Sequence, residues 1–305
     1  MRPIHAPGVP FARLVLILIG GLLAVSVSSI LIRWCDAPAM TIATYRLTLD
    51  TVLLVLLAGP GRVKAALHLP RSLFKWGFLS GLFLAIHFTS WIRSLELTSV
   101  AISVVLVTTT PFFTAVGSWL LFRKKPAGLF WLALLVSFFG LVLIVYAEPQ
   151  SGNNSLVGDG LALLGAMAMS GYILCGRYLR AHLDNFSYIL LAYSSAAILL
   201  LTFIQLTPFP MTGFSGTTYL LFLLIAIFPQ LLGHSSFNWA LKYLSAPVVL
   251  TLLLGEPVLA SIMAWIFLHE TLTGFQITGS LLILTGVALA IHAETLSSPT
   301  NLEQV

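Results

Sequence analysis

Glu256 stands in the middle of an apolar stretch, and Pro257 follows it directly. A carboxylate at the centre of a membrane helix costs roughly 2.5–3.5 kcal/mol on the insertion scale, so such a residue usually faces a water-filled cavity or a partner. The proline removes a backbone hydrogen bond and kinks or breaks the helix at the same point. We therefore expect Glu256 to bind a cationic group or a proton. A protonated, purely structural glutamate is the alternative.

Two further apolar stretches carry bulky polar side chains at intervals of four residues. Gln230, His234 and Asn238 would share one face of a helix, and so would His87 and Trp91. For Gln230, His234 and Asn238 this favours the wall of a cavity, because three bulky polar groups rarely pack between membrane helices. Trp91 could instead belong to an interfacial aromatic belt, and it is a cavity candidate because it shares a face with His87. The histidines could carry protons near neutral pH, although a histidine fixed by one hydrogen bond is an open alternative.

The sequence lacks the motifs of common enzymes. It contains no Gly-x-Ser-x-Gly, no His-Glu-x-x-His, no phosphate-binding glycine loop and only two cysteines. We predict that the chain is not an enzyme and needs no cofactor. Without an ATP-binding loop, any transport would be secondary.

The composition places these polar residues in a membrane. The chain is 58% hydrophobic and 8% charged, whereas a soluble domain is about one quarter charged. Apolar runs long enough to cross a bilayer as helices recur throughout. The prediction is an all-α membrane protein with ten transmembrane helices, at 13–33, 39–58, 72–94, 98–121, 127–147, 156–179, 185–207, 217–240, 245–268 and 273–293. The net charge of +5 arises from basic residues at helix ends, so no nucleic-acid partner is expected.

The second half of the chain repeats the first. An offset of 146 residues pairs Ser90 with Ser236, Leu95 with Leu241, Ser99 with Ser245, Pro111 with Pro257, Trp119 with Trp265, Gly128 with Gly274 and Gly140 with Gly286. Five spans per half require the second copy to be inverted. The loop at 59–71 carries three basic residues and its counterpart at 208–216 carries none, as opposite orientations demand. We predict two inverted five-helix repeats, 13–147 and 156–293, around a central cavity.

The repeat brings two proline breaks together. Thr110 and Pro111 are equivalent to Glu256 and Pro257, and matched mid-membrane breaks indicate a transport site. The predicted substrate-binding residues are Glu256, His234, Asn238, Gln230, His87, Trp91 and Thr110.

Two charged residues of the second span stand outside this set. Arg46 and Asp50 are four residues apart and are expected to pair along their helix, as a structural bond or a gate latch. A site with one acid and no free base would suit zwitterions, amines or neutral aromatics better than phosphorylated sugars.

The chain resembles the EamA type of the drug/metabolite transporter superfamily over nearly its whole length. The residues that carry the resemblance are Leu241–Ala246, Gly255–Ala260, Trp265–Glu270, Gly279–Ala290, and Pro38 with Arg46. Many relatives have Glu-Pro where the first repeat has Thr110 and Pro111. The resemblance implies ten helices around a cavity formed by spans three, four, eight and nine. It also implies export or exchange of amino acids, amines, nucleotides or vitamins across the bacterial inner membrane.

Together these features predict an alternating-access exporter of amino acids or similar zwitterions and amines, with both termini in the cytoplasm. Its partners would be a small-molecule substrate, membrane lipid and, as an option, a coupling proton, in a monomer or homodimer. Uptake of a vitamin, nucleoside or other cofactor-like metabolite is an alternative. A non-transporting receptor or a lipid flippase is another.

Overall fold

The computed structural model describes residues 10–98, 100–123, 125–146, 155–259, 262 and 272–297. Every regular element within these ranges is a helix. In this part of the chain nine helices are long and apolar enough to cross a membrane, and a shorter apolar helix, Ala246–Leu259, begins the tenth. The predicted all-α membrane fold is confirmed. The end of the ninth span and the motif residues 265–270 lie outside the described residues.

We number the spans in chain order. Span 1 is Phe11–Ser26 with Ser28–Trp34, span 2 is Ala39–Leu67, span 3 is Arg71–Leu97, span 4 is Val100–Val107 with Thr110–Phe122, and span 5 is Gly128–Tyr146. In the second half, span 6 is Leu156–Arg180, span 7 is Asn185–Ile204, span 8 is Gly216–Ile225, a π-helical segment Ala226–His234 and Ser235–Ala240, span 9 begins with Ala246–Leu253, and span 10 is Gly274–Ser297.

Local sequence explains several helix boundaries. Pro38 and Pro70 immediately precede spans 2 and 3, where a proline fits the start of a helix. Span 2 was expected to end near residue 58, where its apolar run stops. The chain kinks there, with Gly59 at φ 75°, and then continues as a helix to Leu67. A positive φ favours glycine, and the following Pro60 cannot continue the hydrogen-bond ladder.

Spans 5 and 10 cross at two contacts that mirror each other. A Cβ atom on Gly140 would lie 2.5 Å from the carbonyl oxygen of Gly279, and one on Gly286 would lie 2.7 Å from that of Ala133. The repeat offset makes Gly140 equivalent to Gly286 and Ala133 equivalent to Gly279. The two contacts are therefore one contact repeated, and the glycines permit the close approach of the backbones.

A second mirrored pair of contacts joins spans 1 and 8 and spans 3 and 6. A Cβ atom on Gly21 would lie 2.6 Å from the Cβ of Ser236, and one on Gly165 would lie 3.4 Å from the Oγ of Ser90. The repeat offset is 144 residues near the start of the chain, which pairs Gly21 with Gly165, and 146 residues further on, which pairs Ser90 with Ser236. Each of these contacts joins a helix of one half to a helix of the other. The two repeats are thus interleaved rather than packed as separate bundles.

Candidate functional site

Spans 4 and 9 are interrupted at equivalent points. The first helix of span 4 ends at Val107 and the second begins at Thr110. In span 9 the first helix ends at Leu253, and helical structure resumes at Glu256 after a two-residue turn. In both spans a proline is the second residue of the new helix, where its missing N–H leaves no acceptor unsatisfied. The two predicted breaks are confirmed.

A cavity lies between these interruptions and receives side chains from both halves of the chain. It is lined by Val25, Ser28, Arg46, His87, Phe88, Trp91, Val107, Thr108, Thr110, Pro111, Met169, His234, Leu250, Leu253, Leu254 and Glu256. Most of this wall is apolar, and among the described residues its charged side chains are a single arginine and a single glutamate, apart from the two histidines.

The structure brings five of the predicted site residues together on this wall. They are Glu256, His234, His87, Trp91 and Thr110. Gln230 and Asn238 are fully buried but do not line the cavity. Substrate binding by these seven residues stays a prediction.

Arg46 occupies a different position from the one expected. Its Nε donates to the Oε1 of Gln230 at 2.7 Å, and its Nη1 donates to the Oγ of Ser28 at 3.1 Å. The guanidinium carbon lies 4.0 Å from the ring centroid of Phe88. Arg46 and Asp50, both described, form no salt bridge, so the predicted pair is wrong. The cavity therefore contains a base, which sequence reasoning missed by considering only partners on the same helix.

Other side chains hold Gln230 and Asn238, and neither residue lines the cavity. Gln230 lies in the π-helical segment Ala226–His234 and accepts from Arg46. Asn238 lies in the α-helix that follows, and its Nδ2 donates to the hydroxyls of Tyr172 at 2.5 Å and Tyr193 at 3.0 Å.

The two histidines belong to one aromatic cluster. The Nδ1 of His87 donates to the carbonyl oxygen of Gly165 at 2.9 Å, and its ring is parallel to that of Trp91 at 6.0 Å. Because a carbonyl oxygen can only accept, the Nε2 of a neutral His87 is left as an acceptor. Phe88 meets the ring of His234 edge to face at 5.5 Å. A histidine fixed by one hydrogen bond was the open alternative to a proton carrier, and His87 has such a bond.

Arg46 and Glu256 face the same cavity from opposite halves of the protein. They form no salt bridge with each other in the described part of the chain. The Nη2 of Arg46 and the carboxylate of Glu256 make no hydrogen bond to any described residue. The cavity thus presents one positive and one acidic side chain that no salt bridge joins.

A family comparison explains this architecture. The model of the EamA-like transporter family matches the chain twice, over residues 12–146 and 156–291. The chain belongs to the EamA-like transporter family. The two matches cover the two halves whose mirrored contacts are described above. The resemblance drawn from the motifs is confirmed, and this EamA-like protein is an integral membrane protein of a transporter family.

Characterised and uncharacterised transporters are among the relatives. An uncharacterized transporter of Clostridium kluyveri is 26% identical over 62% of this chain, and the match spans 62% of that relative's length. An uncharacterized transporter of Synechocystis sp. is 27% identical, over 74% of this chain and 67% of its own. The threonine/homoserine exporter RhtA of Salmonella typhimurium is 27% identical, over 85% of this chain and 84% of its own.

A solved crystal structure shares the fold. It superposes on the EamA-like protein with a TM-score of 0.78, covering 94% of this chain and 99% of the other, at 18% sequence identity. At this identity the likeness concerns the arrangement of helices alone.

Proposed function

We propose that this EamA-like protein is a secondary transporter that exports amino acids or related zwitterions across the bacterial inner membrane by alternating access. The observation that carries the proposal is that Arg46 and Glu256 face one cavity and form no salt bridge with each other. An α-amino acid carries a carboxylate and an ammonium group, and it can match both.

Arg46 is suited to hold the carboxylate. Gln230 and Ser28 occupy its Nε and Nη1 and fix the plane of the guanidinium, and Phe88 supports one face. A guanidinium held in this way loses little side-chain entropy when Nη2 donates to a substrate. Charge-assisted hydrogen bonds of this kind are among the strong ones.

Glu256 is suited to hold the ammonium group, and it also disfavours other anions. Arg46 forms no salt bridge with Asp50 and is available to an anion, so a paired arginine does not exclude phosphorylated sugars. An organophosphate would nevertheless bring about two negative charges at neutral pH into a cavity where Glu256 faces a single arginine. A zwitterion leaves no such excess charge.

The rest of the wall would receive the substrate's side chain. Met169, Leu250 and Leu253 supply an apolar surface, and Thr110, His87 and Trp91 supply polar atoms beside it. The relative RhtA, named as an exporter of threonine and homoserine, supports a small amino acid as the substrate. Gln230 and Asn238 would act behind this wall by holding Arg46 and the neighbouring tyrosines.

Counterflow with purified protein in proteoliposomes tests the proposal. Vesicles loaded with a mixture of the proteinogenic amino acids are diluted into isotope-labelled threonine, and exchange is followed by mass spectrometry. We expect exchange of a subset of amino acids, and loss of that exchange in Glu256→Gln. Asp184→Asn, which changes an exposed carboxylate, is the control and should exchange normally.

The outcome can contradict the proposal in two ways. Exchange of organophosphates in preference to amino acids would overturn the substrate class. Normal exchange in Glu256→Gln would assign Glu256 a structural role.

A further inference from the structure

Asp50 is a buried acid that the proposed substrate site does not use. It lies on span 2 with no exposed surface, one helical turn from Arg46. Neither carboxylate oxygen has a hydrogen-bond partner, and Asp50 forms no salt bridge with any described residue. An ionised carboxylate without donors is costly inside a protein and more so within a membrane. The geometry around Asp50 therefore accommodates the neutral acid.

Polar groups from several spans lie near Asp50 or near its neighbour Arg46. Arg46 lies on the same helix as Asp50. The hydroxyl of Tyr193, on span 7, lies within electrostatic range of both residues. His87 on span 3, His234 on span 8 and Glu256 on span 9 all interact with Arg46. The Nε2 of Gln230 and the Oδ1 of Asn238 are also buried with no hydrogen-bond partner in the described part of the chain. These two residues bond to Arg46 and Tyr193, the two groups that act on Asp50.

Unpartnered buried polar atoms usually mark a role beyond packing, such as a bound ion, a water or a functional group. Among the described residues, four such atoms belong to Asp50 itself or to Gln230 and Asn238, which hydrogen-bond Arg46 and Tyr193. We propose that Asp50 is a proton-binding site of this transporter, and that its ionisation draws Arg46 away from the cavity. The inference rests on the proposed function in so far as Arg46 is taken to bind the substrate's carboxylate.

The spacing of the two residues provides the mechanism. An ionised Asp50 can pair with Arg46, because residues four apart are neighbours on a helix. That pairing would compete with the bonds from Arg46 to Gln230 and Ser28, which hold the guanidinium at the cavity. When the carboxylate takes up a proton from water and becomes a carboxylic acid, the competition ends. Arg46 then returns to the arrangement seen here.

Binding of a proton and of a carboxylate substrate would then favour each other. Such coupling is reciprocal, so substrate at Arg46 must raise the proton affinity of Asp50 by the same factor. A zwitterion leaving the cell would carry the proton with it, driven by the outward gradient of the substrate. The transported complex would bear one positive charge.

Infrared spectroscopy of the protein in nanodiscs tests the proton site without any substrate. At neutral pH we expect the wild type to show a carboxylic-acid C=O band that Asp50→Asn lacks, and that declines at alkaline pH. Asp184→Asn should keep the band. If Asp50→Asn folds poorly, Asp50→Glu should shift the band. Identical spectra of the wild type and Asp50→Asn at every pH would overturn the proposal, and so would loss of the band on adding Na⁺, which would indicate a cation site.

A second measurement tests the coupling to Arg46. Threonine is added to protein in weakly buffered solution containing a pH indicator, at a pH where the band shows Asp50 partly ionised. We expect proton uptake on binding in the wild type and none in Asp50→Asn. Threonine binding without proton uptake would overturn the coupling. A normal band with no binding of any amino acid would instead contradict the proposed function and leave Asp50 as a proton site.

Discussion

Thr110 and Glu256 occupy equivalent positions of the two repeats, and both line the same cavity. Each begins the second helix of an interrupted span, directly before a proline. The backbone of the site is therefore symmetric while its charge is not. A duplicated scaffold with an acid on one side only can bind the two ends of a zwitterion differently.

Restoring the acid in the first repeat should change substrate preference. Thr110→Glu would add a second negative charge opposite Glu256, so we expect lysine to exchange better relative to threonine than in the wild type. Thr110→Gln has nearly the same shape without the charge and serves as the control. The ratio of lysine to threonine counterflow measures the effect. An equal ratio in the two variants would show that the charge of residue 110 does not reach the substrate.

Arg46→Gln should weaken binding of substrates that carry a carboxylate. Loss of one or two charge-assisted hydrogen bonds corresponds to about 1.5–3 kcal/mol, or roughly tenfold to hundredfold in affinity. The affinity for threoninamide, which has no carboxylate, should change much less. Competition against labelled threonine measures both ligands. Equal loss for both would mean that Arg46 maintains the fold rather than contacting the carboxylate.

Gly286→Ala should destabilise the protein although alanine is the better helix former. An added methyl group would meet the carbonyl oxygen of Ala133 at 2.7 Å and the Oγ of Ser137 even closer. Gly20→Ala is the matched control, because Gly20 lies in a helix with nothing near its Cβ position. We expect Gly20→Ala to gain up to about 0.5–1 kcal/mol and Gly286→Ala to lose thermal stability. Equal melting temperatures in detergent would contradict the close crossing.

Asp184 should contribute a pH-dependent helix cap. Burial disfavours its ionisation, but hydrogen bonds from the amide and hydroxyl of Ser187 and the charge of Arg62 outweigh this effect, so the pKa of Asp184 lies below its ordinary value. A lowered pKa means that the cap stabilises the folded protein above the ordinary value of about 3.9, and that this stability is lost as pH falls through the folded-state pKa.

Asp184→Ala should therefore cost about 1 kcal/mol at neutral pH, and the difference from the wild type should shrink in acid. Thermal unfolding measured over a pH series checks this. A difference that does not change with pH would show that the charge of Asp184 contributes nothing to the cap.

Sequence reasoning predicted the features that depend on neighbouring residues or that occur in both repeats. Apolar run lengths predict the spans, and the matched prolines predict the breaks before Thr110 and Glu256. The repeat offset even pairs the glycines whose contacts prove equivalent, Gly140 with Gly286 and Gly21 with Gly165. Such features depend on the residue and its near neighbours, so one sequence contains the information.

Long-range contacts were beyond this reasoning. The partner of Arg46, Gln230, is 184 residues away in the chain, whereas the rule used to pair it considered only its own helix. Asn238 was assigned to a cavity face from its spacing alone, whereas its amide donates to the hydroxyls of Tyr172 and Tyr193, which are 66 and 45 residues away in the chain. Arg46 was itself a signal for the cavity, because a charged residue in the middle of an apolar span usually faces the interior of the bundle or a water-filled cavity.

The crossing of spans 5 and 10 limits how this protein can move. Its two mirrored contacts lie seven residues apart on each helix, about 10 Å at 1.5 Å per residue. Two helices held together at two such points cannot pivot about one of them. They form a rigid pair of helices, one from each repeat. If the protein works by the proposed alternating access, we expect this crossing to stay intact and the movement to occur in spans 4, 8 and 9, whose helices are interrupted.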